Sequence, residues 1–245
     1  MKILEDIYVV GGGEYGIGIS HYLDCNIYLI DCGNEAVLID SGVGVDTDII
    51  LKNIENEKID KNKIKKLILT HAHLDHSGGA HFLKQILNLK IYMSEIEAPF
   101  LENADEKSIS LDIAKKNGIY PKDYKFRSAE VDVKLNGNEK IKAGKYIFKI
   151  ISTPGHSRGS ICILLEKHEK KVLFTGDTVF MRGLLSLLNT NDASLVDYKK
   201  GIENISKLEI DSLIPSHHGF TLGFGSKHIS MAADALKELF IPRMA

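Results

Sequence analysis

The sequence predicts a mixed protein of interleaved strands and helices packed in layers, folded as one domain over residues 1–245. Three observations predict it. Short apolar runs bounded by turn residues recur in both halves of the chain, and stretches with helical spacing lie between them. No Pro-, Gly- or Ser-rich linker and no fixed-period repeat divides the chain. At 245 residues, with 44% hydrophobic and 26% charged residues, the chain can bury a sizeable core, and layered folds of this length are common as single units.

The elements follow in order. Residues 26–30 "NIYLI" and 36–40 "AVLID", separated by "DCGNE", read as a hairpin. "VKLNGNEKI" repeats that pattern around Asn136 and Gly137, and "ICILLEKHEKKVLF" gives a third hairpin turning near His168 and Glu169. Helical spacing covers 46–56, 79–88, 108–117, 194–208 and 227–240, often behind an Asp or Ser able to cap. The segment from Glu95 to Tyr124 lies between strand candidates and reads as helices crossing a face or rim, either packed there or forming a lid.

Charge and composition exclude several classes of function. With 31 basic against 33 acidic residues, the net charge of −2 leaves no broad positive field for a nucleic-acid backbone. The amino-terminal "MKILEDIYVVGGG" lacks the apolar core of a signal peptide, and no later stretch reaches the length of a membrane span. A cytoplasmic location follows as the expectation, with a homo-oligomer left open. Cys25, Cys32 and Cys162 are odd in number and lack metal-type spacing, so they read as reduced core residues. "GGGEYG", residues 11–16, matches the glycine pattern of a dinucleotide cradle, but "IGISHYLDCNIYLI" continues with β-branched residues where such a cradle must open a helix. These glycines read as a turn or loop.

Chemistry concentrates in "LILTHAHLDHSGG", residues 67–79. His71 and His73 are two apart, so in an extended segment both imidazoles project to one side. Asp75 and His76 follow where the chain turns into the next helix, within reach of a second point close by. This spacing suits two neighbouring metal ions better than one. The pattern is also repeated elsewhere: "YIFKIISTPGH" brings His156 just past an apolar strand, "VLFTGD" does so for Asp177, and "DSLIPSHH" for His217 and His218. If those strands share an orientation, their ends gather the side chains at one sheet edge, where α/β architectures often place sites.

On these residues the chain resembles the metallo-β-lactamase superfamily. "THAHLDHSGG" is similar to its His-x-His-x-Asp-His motif, "TPGHSRGSI", "FTGDTVF" and "IPSHHG" to its later motifs, and "NIYLIDCGNEAVLIDSG" to its opening hairpin. The resemblance implies an α+β, four-layer αββα sandwich with the site at one edge of two sheets. It also implies that His71, His73 and His156 bind a first metal, that Asp75, His76 and His217 bind a second, and that Asp177 bridges them. Asp40 in "LIDSG" matches an aspartate that orients a ligand imidazole, a turn residue being the alternative. Arg158 stands where many relatives have proline and is a candidate for holding an anionic substrate group. His217 and His218 compete for one position; counting from Pro215 selects His217 and leaves His218 at the rim as a proton donor or substrate contact.

The implied activity is metal-dependent hydrolysis of a small molecule. Two divalent ions, zinc first and iron or manganese as substitutes, would lower the pKa of a shared water to about 7 and supply a bridging hydroxide. Asp75 and Asp177 would be the catalytic carboxylates, and the substrate a thioester, lactone or phosphoester. The alternative is a mononuclear iron oxygenase resembling persulfide dioxygenases. True class B β-lactamases are exported, usually lack the final histidine of "HAHLDH" and often carry cysteine at the place of Asp177, so antibiotic hydrolysis is disfavoured. Glyoxalase II shares the full ligand set but carries a long helical carboxy-terminal region, which puts glutathione thioesters in doubt.

Overall fold

In the computed structural model, residues 1–167, 169–188, 190 and 192–237 are described. The first half of the chain builds a sheet from β1 (Lys2–Leu4), β2 (Ile7–Gly11), β3 (Ile27–Asp31), β4 (Ala36–Ile39), β5 (Ile64–Ile68), β6 (Lys90–Ser94) and β7 (Val133–Leu135), which neighbour one another in that order. The second sheet contains β8 (Lys140–Ala143), β9 (Tyr146–Ser152), β10 (Ile161–Lys167), β11 (Lys170–Gly176) and β12 (Ser212–Pro215), with spatial order β12-β11-β10-β9-β8. Helices α1 (Thr47–Asn56), α2 (Leu74–Ser77), α3 (Ala80–Leu87), α4 (Ala98–Glu102) and α5 (Leu111–Lys116) belong to the first half, and α6 (Leu195–Ser206) and α7 (Gly225–Lys237) to the second.

The layering follows from the two-residue period of buried strands. In β4 every residue is buried, yet Leu38 packs with Ile50 and Ile54 of α1 and Leu83 of α3, while Val37 and Ile39 face the other sheet. Strand β10 divides the same way. Ile161, Ile163 and Leu165 face the first sheet, whereas Cys162 and Leu164 pack beneath Tyr198 and Ile202 of α6 and Ile229 of α7. A strand covered on both faces must be apolar throughout, which is why these runs do not alternate with polar residues. Three cores thus lie between four layers, helices on sheet on sheet on helices, the αββα sandwich that the resemblance implies.

The first expected hairpin is present, with Tyr28 opposite Ile39 and Ile30 opposite Val37. The third pairs Leu165 with Val172 and Lys167 with Lys170; His168 lies outside the described residues. The expectation around Asn136 and Gly137 is corrected. Strand β7 pairs parallel with β6, and β8 antiparallel with β9, so the two strands belong to different sheets. Gly137, at φ +92°, turns the chain from one sheet to the other and packs against Ser152, where a Cβ would come within 2.5 Å. Local alternation is the same whichever strand completes the ladder, and so it could not reveal this crossing.

Helices occupy the expected segments, with residues 238–240 of the last lying outside the described residues. The "GGGEYG" segment forms turns between β2 and β3 and opens no helix. Cys25, Cys32 and Cys162 are buried and carry no disulfide. Among the described residues, no helix is long and apolar enough to cross a membrane.

Strand direction positions the site. Strand β10 runs antiparallel to both β9 and β11, and β12 runs parallel to β11, so β9, β11 and β12 point the same way. In the other sheet β4 and β5 are parallel. The ends of these five strands carry His156, Asp177, His217, Asp40 and the 71–76 segment. Because the two sheets meet through the middle core, that core sets how the strand ends face one another. Phe148, fully buried there, tests the dependence: Phe148→Ala is expected to lower unfolding stability by about 3–5 kcal/mol, read from urea denaturation.

Candidate metal centre

The chain leaves β5 through Leu69 and Thr70, passes His71 and His73 in a short irregular stretch and turns into α2 at Leu74. His71 Nε2 lies 3.1 Å from His73 Nδ1, which lies 2.8 Å from His156 Nε2. The opposite nitrogens are all occupied. Thr70 Oγ1 is 3.1 Å from His71 Nδ1, Asp192 Oδ2 is 2.9 Å from His73 Nε2, and the Ser186 carbonyl accepts from His156 Nδ1 at 2.7 Å. With those nitrogens committed, one proton can serve only one contact among the three inward nitrogens, whereas a cation between them would serve all three.

A second group lies beside the first. Asp40 Oδ2 holds His76 Nδ1 at 2.9 Å, which directs Nε2 inward to within 3.3 Å of Asp75 Oδ2 and 3.6 Å of Asp177 Oδ1. His217 Nε2 is 3.0 Å from Asp75 Oδ2 and 3.5 Å from Asp177 Oδ2. Asp177 Oδ2 is also 3.5 Å from His156 Nε2, so this carboxylate touches both groups. His76 Nε2 and Asp177 Oδ1 are buried without a hydrogen-bond partner. Such orphaned atoms are rare unless a further atom completes them, and imidazole nitrogen with carboxylate oxygen is a donor set that suits a divalent ion. His71, His73 and His156 form one cluster able to hold a metal ion, and Asp75, His76 and His217 form another.

The electrostatics show how the cluster exists as described. Burial, reinforced by the neighbouring imidazoles, holds His71 well below the ordinary histidine range, and burial brings His156 down to about 4. At Asp75 burial works to raise the carboxyl, but His76 and His217 overcome it and hold it well below the usual range; Asp177 is lowered in the same way. Burial also opposes charge on His73, His76 and His217, yet carboxylates raise all three: Asp192 chiefly for His73, Asp177 and Asp75 for His217, and Asp75, Asp177 and Asp40 alongside the Cys25 thiol for His76. Protons on these imidazoles occupy the place that cations could take.

His218 departs from its neighbour. It is exposed, sits at φ +58° and stacks its ring edge-on to Phe180 at 5.4 Å. Its N–H donates to the Tyr15 carbonyl, and its own carbonyl accepts from Asn26. It lines the rim of a cavity of about 380 Å³ whose floor holds Asp75, His156, Asp177 and His217. Arg158 does not line that cavity; it borders a neighbouring depression with Lys107 and Asp192.

Two carboxylates at the site escaped sequence reasoning. Asp192, drawn down to about 2 by His73 against the effect of burial, lies in a polar loop without any pattern to mark it. Glu97 is buried, and its oxygens accept from Ala72 N–H at 2.6 Å and Gly159 N–H at 2.7 Å. It therefore ties the loop of His71 and His73 to the loop after His156. In sequence it resembles only the start of α4.

A family model described as the metallo-beta-lactamase superfamily matches residues 22–243. The chain belongs to this superfamily. Over 201 residues it is 31% identical to the hydroxyacylglutathione hydrolase GloC of Haemophilus influenzae, covering 80% of this chain and 85% of that protein. It is 30% identical over 197 residues to a probable metallo-hydrolase of Methanocaldococcus jannaschii, covering 78% and 86%. The human acyl-coenzyme A thioesterase MBLAC2 is 26% identical over 208 residues, covering 78% of this chain and 72% of that protein. Among solved structures, the subclass B3 metallo-beta-lactamase of Bradyrhizobium japonicum superposes with a TM-score of 0.73 over 97% of this chain and 90% of that one, at 20% identity. That likeness shows the superfamily fold.

Two outcomes follow. Asp192→Ala, which frees His73 Nε2, is expected to weaken zinc uptake by about 10–100-fold, measured by competition with a chromogenic chelator. Uptake must also displace the protons that carboxylates hold on His73, His76 and His217, all raised above the ordinary histidine range. Affinity should therefore fall as pH drops, beginning above the ordinary histidine pKa of about 6.5, with net proton release in calorimetry across buffers of different ionisation enthalpy.

Proposed function

We propose that the chain is a dinuclear metal-dependent hydrolase of acyl thioesters, with lactones and phosphoesters as the other substrates its chemistry would admit. The observation that carries this reading is that Asp177 touches both donor groups, at 3.5 Å from His156 and 3.5 Å from His217. His71, His73 and His156 would hold one ion, and Asp75, His76 and His217 the other. When bound, two divalent ions, zinc first, would make hydroxide available near neutral pH and polarise the scissile carbonyl. The presence of the complete second group supports two ions over the single-iron oxygenase alternative. Thioesters come first because the relatives include proteins named as a hydroxyacylglutathione hydrolase, an acyl-coenzyme A thioesterase and an atrochrysone carboxyl ACP thioesterase.

The chain's own residues have separable tasks in this reading. Asp192, Asp40, Thr70 and the Ser186 carbonyl fix ring orientation, so little reorganisation is required when substrate arrives. Asp75 stays ionised and faces the cavity, where it can orient a nucleophilic water. His218 at the rim can donate a proton to a departing group or contact the substrate.

Chelation should abolish hydrolysis of an acyl thioester and readdition of zinc restore it, with two ions bound per chain by plasma emission spectrometry. Asp75→Asn and Asp177→Asn are expected to lower turnover by orders of magnitude. Near-normal turnover in either variant with its metals retained would refute the assigned roles. His217→Ala should lose the second ion while His218→Ala keeps both; the reverse result would assign the ligand to His218.

A further inference from the structure

A second cavity, of about 460 Å³, adjoins the candidate metal centre and shares His73 and Asp75 with it. Among the described residues, no charged side chain beyond those two lines it. Its walls are formed by Ile109, Leu111, Ile113 and Ala114 on and before α5, by Ile119, and by Leu188 from the opposite side. Ile109 and Leu111 are buried at the floor, but Ile113, Ile119 and Leu188 are 41%, 54% and 42% exposed. Large aliphatic side chains gathered in the open around one concavity mark a surface that gains by being covered.

Helix α5 is built to give this face. Its charged residues turn away: Lys115 pairs with Glu106 at 2.6 Å, and Asp112 is exposed to solvent. The segment is fixed to the body by Tyr124, whose hydroxyl donates to the Val43 carbonyl, and is closed on itself by Leu111, whose N–H donates to the Glu106 carbonyl. Ser110, Asn117, Tyr120 and Thr190 add isolated polar atoms to the lining, but an ionic group set against the aliphatic walls would lose hydration without a countercharge beyond His73 and Asp75. An alkyl chain would lose only unfavourable water contact.

From this juxtaposition we infer that the cavity binds the aliphatic acyl chain of the substrate, with the scissile carbonyl at its His73 and Asp75 end. The inference rests on the hydrolase reading above and narrows it to carbonyl substrates bearing an uncharged alkyl tail. Ile113, Ile119 and Leu188 then set chain-length preference, while the leaving group departs through the other cavity, past His218.

The test uses the zinc-loaded protein and thioesters of N-acetylcysteamine with acetyl, butanoyl, hexanoyl and decanoyl chains. Their common leaving group is small and uncharged. Each buried methylene should raise kcat/KM by about fourfold, so hexanoyl should exceed acetyl by on the order of 100-fold if all four added methylenes are buried. Combining I113S with I119S, both at exposed positions where folding is not at stake, should lower the hexanoyl-to-acetyl ratio by about tenfold. Equal rates for acetyl and hexanoyl, or an unchanged ratio in the double variant, would overturn the inference and leave the hydrolase reading intact. Calorimetry with the matching non-hydrolysable thioethers separates the two claims. If no thioester is cleaved but thioether affinity rises with chain length and falls in the double variant, the cavity assignment stands and the hydrolase reading fails.

Discussion

One buried carboxylate holds the site together. Asp40 is fully buried at the end of β4, at φ +62°. It accepts from Thr70 N–H at 2.8 Å, from Thr70 Oγ1, from His76 Nδ1 at 2.9 Å and from Ser216 Oγ at 3.0 Å. Those partners come from the end of β5, from α2 and from the end of β12, so a single side chain joins the working edges of both sheets. A charge sealed from water is tolerated only when its lone pairs are filled in this way. Removing it would leave several buried donors unpaired, at about 1–3 kcal/mol each. The strained backbone of Asp40 persists because these contacts over-determine it.

The fold and the chemistry are linked through that requirement. Middle-core packing sets the distance between the sheets, and the polar ties at their edge convert it into side-chain geometry. Glu97 performs a similar service on the other flank, binding the Ala72 and Gly159 amides. Between these two carboxylates the imidazoles cannot rotate freely, and their inward nitrogens remain crowded together. Burial opposes charge on these rings, but carboxylates beside them hold protons on His73, His76 and His217, which are therefore raised above the ordinary histidine range. A proton and a bound cation would compete for the same positions.

The segment from Glu95 to Tyr124 joins the donor loops to the adjoining cavity. Its buried end supplies Glu97, its middle presents Ile109 and Leu111 at the floor of the adjoining cavity, and its far end is anchored through Tyr124. It is packed along the rim as helices α4 and α5 and the turns between them. The same stretch of chain thus stiffens the donor loops and shapes the uncharged space beside them.

The sequence by itself determined the layered class, most of the strands and helices, and the seven donor side chains that meet at the edge. It could do so because burial on both faces demands continuous apolar runs, and because each donor stands just beyond such a run. Only the tertiary structure decided where "VKLNGNEKI" divides between the two sheets, since a strand's alternation is blind to the identity of its ladder partner. Only it revealed Asp192 and Glu97, whose roles come from contacts with His73, Ala72 and Gly159 far away in the chain. The adjoining cavity was likewise invisible, because the spacing of Ile109, Leu111 and Ile113 says which residues share a neighbourhood but not which face is left uncovered. Local periodicity reports burial, and convergence across long sequence separations is settled only when the layers pack.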